Sequence, residues 1–196
     1  MNCEERIAKR HNLRDPKHTV RFGLLQAMNL TPTSYIVLGL LERAGPVTPY
    51  ELKALVAASI GNFWSVPHSQ LYAEPERLAR AGYLVEQREP AGRRRRVYGL
   101  THAGRAALET WRAEPTSELP ELRDSALLKV FFGADPASIA APQLAAHEAK
   151  LAEYRRLRAS ISSEDESTGP ARTLEAGIAH EREWVRYWKR LGSLRP

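Results

Sequence analysis

The sequence predicts a mainly α-helical protein: a winged helix-turn-helix, made of a three-helix core and a β-hairpin wing, followed by an α-helical dimerisation arm. Apolar segments that open on a Thr-Pro pair at Thr31 and Thr48 indicate two successive helices. Two short runs, 83–88 and 96–100, flank a turn and indicate a hairpin. From residue 114 to the end of the chain, apolar residues recur at helical spacing.

The first two helices carry explicit start signals. Thr31 stands at the N-cap with Pro32 at the first helical position, and the apolar run YIVLGLL predicts that this helix is buried. Gly45 ends it. Thr48 and Glu51 have the spacing of a capping box, in which the Thr side chain accepts from a backbone N–H and the Glu reaches back to the cap.

The third helix is predicted over residues 66–81, with Leu71 and Leu78 facing the core. Pro75 lies inside it, removes one backbone N–H and crowds the Leu71 carbonyl, which predicts a kink or a later start. After the hairpin, whose turn EPAGRRR is basic, Thr101 is expected to cap a fourth helix. The order helix, helix, helix, hairpin, helix is that of a winged helix.

Three parts are expected along the chain. Residues 1–29 form a basic N-terminal extension, partly disordered or a short helix. Residues 30–113 form the winged-helix DNA-binding domain, and residues 114–196 a C-terminal α-helical dimerisation and effector domain. This last part is expected to be helical throughout, apart from a polar linker at 162–170. Its amphipathic helices have wide apolar faces and no β-sheet to pack against. These faces need a partner surface, so we expect a homodimer.

The charge of the chain is unevenly distributed. The net charge is +6 over 196 residues. Residues 31–113 carry eleven basic against seven acidic side chains, whereas residues 114–196 carry twelve against thirteen. The basic first half suits an anionic partner such as nucleic acid, although mild basicity is also typical of an ordinary soluble surface.

The composition excludes several classes of protein. Cys3 is the only cysteine, which excludes an intrachain disulfide or cysteine-based zinc site and fits a reducing, cytoplasmic location. No run reaches the roughly 18 apolar residues that span a bilayer, and the first residues lack the apolar core of a signal peptide. The histidines show no metal-binding spacing, and no nucleophile or phosphate-loop motif is present. We therefore expect no metal, no cofactor and no enzymatic activity.

The residues expected to contact DNA lie on the third helix, at the start of the second helix and at the hairpin tip. An α-helix fits the major groove, where the first residues of a reading helix reach base edges. Gln can bond adenine through two hydrogen bonds, Ser can donate or accept, and Tyr and Arg can reach phosphates. The alternative for each residue is a solvated helix face. The expected set is Tyr50, Ser65, His68, Ser69, Gln70, Tyr72, Arg77, Arg93, Arg94, Arg95 and Arg96.

Four consecutive arginines at the hairpin tip are the strongest charge signal in the chain. Their guanidinium groups repel one another and would not be stabilised by burial in a core. Contact with phosphates neutralises their charge, so this run favours a role in binding DNA. A wing tip also lies over the flanking minor groove, where arginine is favoured when the groove is narrow. Arg96, nearest the strand, has the alternative of stacking on Tyr98. Glu76 on the third helix is expected to be a salt-bridge partner.

Large apolar side chains concentrate in the helical arm. One interpretation is packing at a dimer interface, and the other is a cavity between subunits that holds a small apolar or aromatic effector. The residues assigned to this surface are Leu127, Phe131, Leu174, Ile178, Trp184 and Trp188.

The ordered motifs YIVLGLL, GPVTPYELK, FWSVPHSQLYAEPERLARAGYLVE, RRVYGLTHAGRAALETW and ELRDSALLKVFFG resemble the PadR family of bacterial transcriptional regulators. The resemblance runs from about Leu30 to about Leu191. It implies a dimeric winged-helix repressor that binds an inverted repeat in double-stranded DNA and is released by a small effector. Family members commonly carry Pro and Leu where this chain has Ala73 and Pro75. The alternative function is a winged-helix module that binds protein without base specificity.

Overall fold

The computed structural model describes residues 29–88, 95–162 and 168–193. Residues 1–28 of the predicted extension, Arg93 and Arg94 of the predicted wing tip, and part of the predicted linker lie outside the described residues. The chain divides into two compact units, Met1–Pro115 and Thr116–Pro196. The elements in chain order are α1 (Pro32–Ala44), α2 (Pro49–Ala58), a 3-10 turn (Ile60–Asn62), α3 (His68–Arg80), β1 (Leu84–Arg88), β2 (Arg96–Leu100), α4 (His102–Ala113), α5 (Ser125–Phe131), α6 (Pro136–Ala159) and α7 (Gly169–Gly192).

Both predicted helix starts in the first unit are confirmed by their hydrogen bonds. The Thr31 side chain accepts from the Ser34 N–H, and the Ser34 hydroxyl accepts from the Thr31 N–H in return. The Thr48 and Glu51 pair makes the same reciprocal contacts at the start of α2. Such caps satisfy N–H groups that have no partner within the helix and stabilise it by about 0.5–2 kcal/mol each. Gly45 ends α1 with a φ of 73°, a left-handed conformation that favours glycine.

The core of the first unit forms around α1. Its Val37, Leu38 and Leu41 are buried, and leucines of α2, α3 and α4 pack against them. The predicted inward positions Leu71 and Leu78 are fully buried. Fixing these side chains inward directs the remaining faces of α3 outward, because residues three and four apart share one face of a helix.

Pro75 lies inside α3, which runs as one helix from His68 to Arg80 and so begins two residues later than the predicted start at residue 66. Proline removes one N–H from the helix, but the Pro75 ring is fully buried. Burial of this apolar ring offsets part of the cost of the missing hydrogen bond.

The β-hairpin that follows α3 is antiparallel and pairs Leu84 with Leu100 at one end and Arg88 with Arg96 at the other. We call β1, β2 and their connecting turn the wing. Val47, between α1 and α2, exchanges two backbone hydrogen bonds with Tyr98 of the wing, at 3.1 and 2.9 Å. The wing is therefore joined to the helical core through its second strand.

The second unit differs from the sequence prediction at its start. Residues 115–124 are not helical, although the pattern predicts helix throughout the arm. Pro115 and Pro120 supply the reason, because proline lacks the N–H that a helix interior needs. The helical part begins at α5, where the Asp124 carboxylate accepts from the N–H groups of Ala126 and Leu127 at 2.7 and 3.2 Å. Helices α6 and α7 then pack along each other and bury the side chains between them.

Candidate nucleic-acid interface

The first turns of α3 present polar side chains on the side away from the core. His68, Ser69 and Gln70 are exposed, and Ser65 is exposed just before the helix. Tyr72 follows with 49% of its surface accessible. These predicted contact residues thus lie on, or immediately before, the open side of one helix.

The start of α3 is itself a suitable position for an anion. Pro67 occupies the N-cap and provides no side-chain cap, while the Gln70 N–H donates to the Pro67 carbonyl at 3.0 Å. The first N–H groups of an α-helix have no partner within the helix and carry the positive end of its dipole. A phosphate oxygen can therefore be bound at this end.

Gln70 is held in place by α1. The Thr33 hydroxyl donates to Gln70 Oε1 at 2.9 Å, although the two residues lie 37 positions apart in the chain. The contact fixes the direction of the exposed amide.

A polar clamp of Ser34, Glu74 and Arg77 joins α1 to α3 beside that contact. The Ser34 hydroxyl and Arg77 Nη2 both donate to Glu74 Oε1 at 2.6 Å, and Arg77 Nε donates to Glu74 Oε2 at 2.8 Å. Arg77 Nη2 also donates to the Ser34 oxygen at 2.9 Å. Ser34 is fully buried. Because every partner is satisfied, the clamp sets how α3 lies on α1 without leaving a buried polar group unpaired.

The clamp also decides the ionisation of Glu74. Burial by itself would raise the pKa of this carboxyl, but the hydrogen bonds from Arg77 and Ser34 outweigh burial and lower it below its ordinary value. The same contact with Glu74 raises the pKa of Arg77. The sequence predicts Arg77 as one of the DNA contacts. Its guanidinium is bonded to Glu74 and Ser34, so Arg77 positions α3, and its contact with DNA stays a prediction.

Tyr50 lies at the start of α2 and is 72% exposed. The neighbouring capping box of Thr48 and Glu51 occupies the N–H of Glu51. The exposed side chain of Tyr50 is accessible to solvent, and its contact with a phosphate stays a prediction.

Arg96, at the end of β2 next to the turn, contacts three side chains. Its Nη1 lies 3.3 Å from Glu76 Oε2 and its Nε lies 3.5 Å from Glu86 Oε1. A hydrogen bond with Tyr98, followed by the charge of Glu86, raises the pKa of Arg96. Glu76 is thus a salt-bridge partner, as its position on α3 suggested. Arg96 is tied to the body of the unit, and the neighbouring Arg95 is exposed.

Sequence reasoning missed the residues that support this surface. Glu74 and Arg77 are three apart on one helix, so their pairing could have been read from the spacing. Thr33 and Ser34 gave no such signal, because their partners lie 37 and 40 positions further along the chain.

In the second unit, the structure changes the interpretation of the predicted dimer and effector residues. Trp188 is fully buried among side chains of α5, α6 and α7, and Ile178 is buried against Leu151 and Tyr154 of α6. Both belong to the core of their own unit and are not free for a partner subunit. Their assignment to a dimer or effector surface stays a prediction, and the structure adds that α6 offers an apolar face to α7 within the same chain.

The remaining members of that set are less enclosed. Leu174 and Trp184 are half-buried, and Phe131 at the end of α5 is 81% exposed. An open groove of about 460 Å³ is lined by Leu127, Glu183, Trp184, Arg186, Tyr187 and Arg190. Phe131, Leu127 and Trp184 therefore remain available to a partner subunit or a ligand.

Two further observations concern the described residues as a whole. None of their helices has both the length and the apolar character needed to cross a membrane. Within the same ranges, no three His, Cys, Asp or Glu side chains are grouped so that they could hold a metal ion.

Comparison with known proteins adds two family matches. Residues 37–110 match the model of the transcriptional regulator PadR-like family. Residues 122–191 match the model described as the virulence activator alpha C-terminal region. The first match covers α1 to α4 with the wing, and the second covers α5 to α7.

Individual relatives agree with these matches. The chain is 28% identical to the negative transcriptional regulator PadR of Bacillus subtilis over 167 residues, which cover 77% of this chain and 90% of that protein. It is 35% identical to a probable transcriptional regulator of Mycobacterium tuberculosis over 97 residues, about half of each protein.

Solved structures share the fold. Bacillus subtilis PadR in complex with operator DNA superposes with a TM-score of 0.72 at 24% identity, covering 82% of this chain and 96% of that one. The same protein in complex with p-coumaric acid gives 0.69 at 22% identity, covering 84% and 97%. The predicted class, a winged helix-turn-helix followed by a helical region, is thereby confirmed.

Proposed function

We propose that this chain is a member of the PadR-like family of transcriptional regulators and an effector-responsive repressor that binds an inverted-repeat operator as a homodimer. The observation that carries this proposal is the first turn of α3, where polar side chains are exposed next to an open helix N-terminus. That arrangement offers base-reading groups and a phosphate site side by side. A regulator of this kind acts in the cytoplasm, where its DNA lies.

The proposed DNA contacts follow from exposure and chemistry. Ser69 and Gln70 read base edges from α3, and His68, Ser65 and Tyr72 contact the backbone beside them. Tyr50 contacts a phosphate from the start of α2. Arg93, Arg94 and Arg95 of the wing contact phosphates or the flanking minor groove. Arg96 also lies beside Glu76 and Glu86.

The homodimer is proposed from the second unit. Leu128, Phe131 and Phe132 of α5 and its end are exposed, and the two phenylalanine rings lie edge to face with 5.2 Å between their centroids. Large exposed aromatics favour burial against a partner. A two-fold dimer would bring two copies of α3 onto successive major grooves about 34–36 Å apart, which fits a palindromic site.

Two observations support a small-molecule effector: the ligand bound by a similar protein, and the open groove in the second unit of this chain. The Bacillus subtilis relative was crystallised both with operator DNA and with p-coumaric acid. In this chain the groove beside Leu127 and Trp184 combines an apolar wall with guanidinium groups of Arg186 and Arg190. A small aromatic molecule is the class of effector that such a wall suits.

The test of operator binding is footprinting of the purified protein on the DNA upstream of its own gene, followed by titration of salt. We expect protection of an inverted repeat with two half-sites. Binding that is equal on random DNA, or absent, would favour the protein-binding alternative.

The wing is tested by changing Arg93, Arg94 and Arg95 together to Ala. Affinity should fall on operator and on random DNA alike, because phosphate contacts carry no sequence information. The plot of log affinity against log salt should become shallower by roughly one unit for each phosphate that the variant no longer binds. The control changes three exposed arginines of the second unit to Ala: Arg155, Arg156 and Arg172. An unchanged slope in the wing variant would show that the wing does not meet DNA.

A further inference from the structure

The hydrogen bond between Thr33 and Gln70 occupies only the oxygen end of the Gln70 amide. Gln70 is the third residue of α3, where a reading helix meets base edges, and its side chain is exposed. The Thr33 hydroxyl donates to Oε1 of that amide at 2.9 Å. Among the described residues, no partner is found for the amide nitrogen Nε2. One end of the amide is therefore held by the protein and the other faces outward.

This arrangement changes which bases the amide can recognise. A free glutamine bonds adenine with both ends, donating from Nε2 to N7 and accepting at Oε1 from the adenine amino group. Here Oε1 is turned toward Thr33, so the outward group is an NH₂ with two donors. Guanine presents two acceptors, N7 and O6, on the same edge, whereas adenine presents one acceptor and one donor. An outward pair of donors matches guanine and leaves the adenine amino group without an acceptor.

The position of Thr33 is itself fixed by neighbouring contacts. Thr33 lies in the first turn of α1, between the capping residue Thr31 and the buried Ser34. Ser34 is bonded to Glu74, one turn along α3 from Gln70, at 2.6 Å. Both ends of the Thr33 and Gln70 contact are thus on helices that the clamp holds together. A donor fixed in this way orients the amide before DNA arrives, which reduces the entropic cost of binding.

We propose that Thr33 is a positioning residue that sets base specificity by holding the Gln70 amide with its two donors outward, so that each half-site carries guanine opposite Gln70. The proposal rests on the proposed function, since it assigns a role at the same DNA-reading surface. Thr33 does not itself touch the base.

The experiment is selection of bound sequences from a random DNA library by the full-length protein and its variants. Thr33→Val removes the hydroxyl and keeps the shape, Thr33→Ser keeps the hydroxyl, and Gln70→Ala removes the reader. Thr110→Val is the matched control, because Thr110 is an exposed threonine whose hydroxyl donates to the Ala106 carbonyl within α4.

The wild-type protein, Thr33→Ser and Thr110→Val should select guanine at one position of each half-site. In Thr33→Val the amide can turn, so the preference for guanine over adenine should fall on the order of tenfold, the size of one base contact. Gln70→Ala should lose the preference, and adding Thr33→Val to it should change nothing further, because the two residues act through one contact.

The outcomes separate this proposal from the proposed function. Adenine selected by the wild type, or an unchanged guanine preference in Thr33→Val, would overturn the role of Thr33 while leaving operator binding intact. A wild-type protein that selects no sequence at all would overturn both. A fall in affinity for Thr33→Val on every sequence alike, with the guanine preference kept, would show a merely structural role and also overturn the proposal.

Discussion

Each unit contains a carboxylate that links two helices, but the partners of the two carboxylates differ. In the first unit, Glu74 accepts hydrogen bonds from Arg77 and Ser34. In the second unit, Glu181 Oε2 lies 2.6 Å from Nδ1 of His147, which joins α7 to α6. An arginine is charged at all ordinary pH values, whereas a histidine forms an ion pair only when its ring is protonated.

The surroundings of the two carboxylates differ as well. The His147 ring stacks on Trp184, with centroids 5.5 Å apart and planes 12° apart, and the Trp184 indole N–H donates to His180 at 2.8 Å. The pair of His147 and Glu181 is thus part of an aromatic core. The clamp in the first unit lies directly beneath an open polar surface. We infer that the first clamp fixes the geometry of a binding surface, whereas the pair in the second unit supports packing.

The largest effect is expected from ending the chain after Gly169, which removes α7. Ile178 and Trp188 then no longer cover α6 and α5, so the second unit should lose its fold. The first unit, whose core is formed by its own helices and wing, should keep its hydrogen-exchange protection. Amide exchange measured on both proteins checks this. Loss of protection in α1 and α3 would show that the two units do not fold separately.

The next effect concerns the clamp of the first unit. Glu74→Ala removes the common acceptor of Ser34 and Arg77, and should lower the free energy of unfolding by about 2 kcal/mol. This figure allows for the partial exposure of Arg77, which weakens the ion pair. Chemical denaturation measures it, with Glu109→Ala as an exposed control on α4. If Glu74→Ala lowers the free energy of unfolding no more than Glu109→Ala does, the clamp does not stabilise the packing of α1 on α3.

A smaller effect is expected for the pair of His147 and Glu181. His147→Ala removes one partner of Glu181 and the stacking on Trp184, at a cost of about 1 kcal/mol. Tryptophan fluorescence should shift as well, since the environment of Trp184 changes. The control is His102→Ala, an exposed histidine in the first unit. An identical result for the two variants would show that His147 does not stabilise the second unit.

The smallest effect concerns pH and the ionisation of Glu74. The pKa of Glu74 is lowered from its ordinary value of 4.5, so its ionised form is favoured in the folded protein. Its contribution to stability is therefore present above pH 4.5 and is lost as pH falls through the lowered pKa. The difference in unfolding free energy between wild type and Glu74→Gln should be constant from about pH 8 to about pH 5 and shrink below about pH 4. A difference that grows on acidification would contradict the assigned direction.

Much of the first unit could be predicted from local signals. Thr31, Thr48 and Thr101 were recognised as caps because capping involves residues only three apart, and all three are observed. Strand β2 was predicted with its observed bounds. The α3 helix was placed within two residues at its start, because the leucine spacing that defines a buried face is also local.

The sequence could not show the long-range contacts. Arg77 was predicted as a DNA contact from its position on the helix, and only the structure shows that Ser34, 43 positions away, is bonded to it. Trp188 was expected to need a partner subunit because the sequence does not show that α6 lies along α7. In both cases the surroundings of the side chain depend on residues that lie far away in the sequence.

The order of elements, the basic wing, the polar first turns of α3 and the likeness to PadR regulators could all be predicted from the amino-acid sequence, because they depend on composition, spacing and caps within a few residues. The folded structure was needed to show that Glu74 and Arg77 face α1, that Thr33 holds the Gln70 amide, and that Trp188 is enclosed by its own unit. The physical reason is that a hydrogen bond or a buried contact requires two groups within a few ångströms. Only the folded path of the chain brings residues that are 37 or 40 positions apart in sequence to that distance.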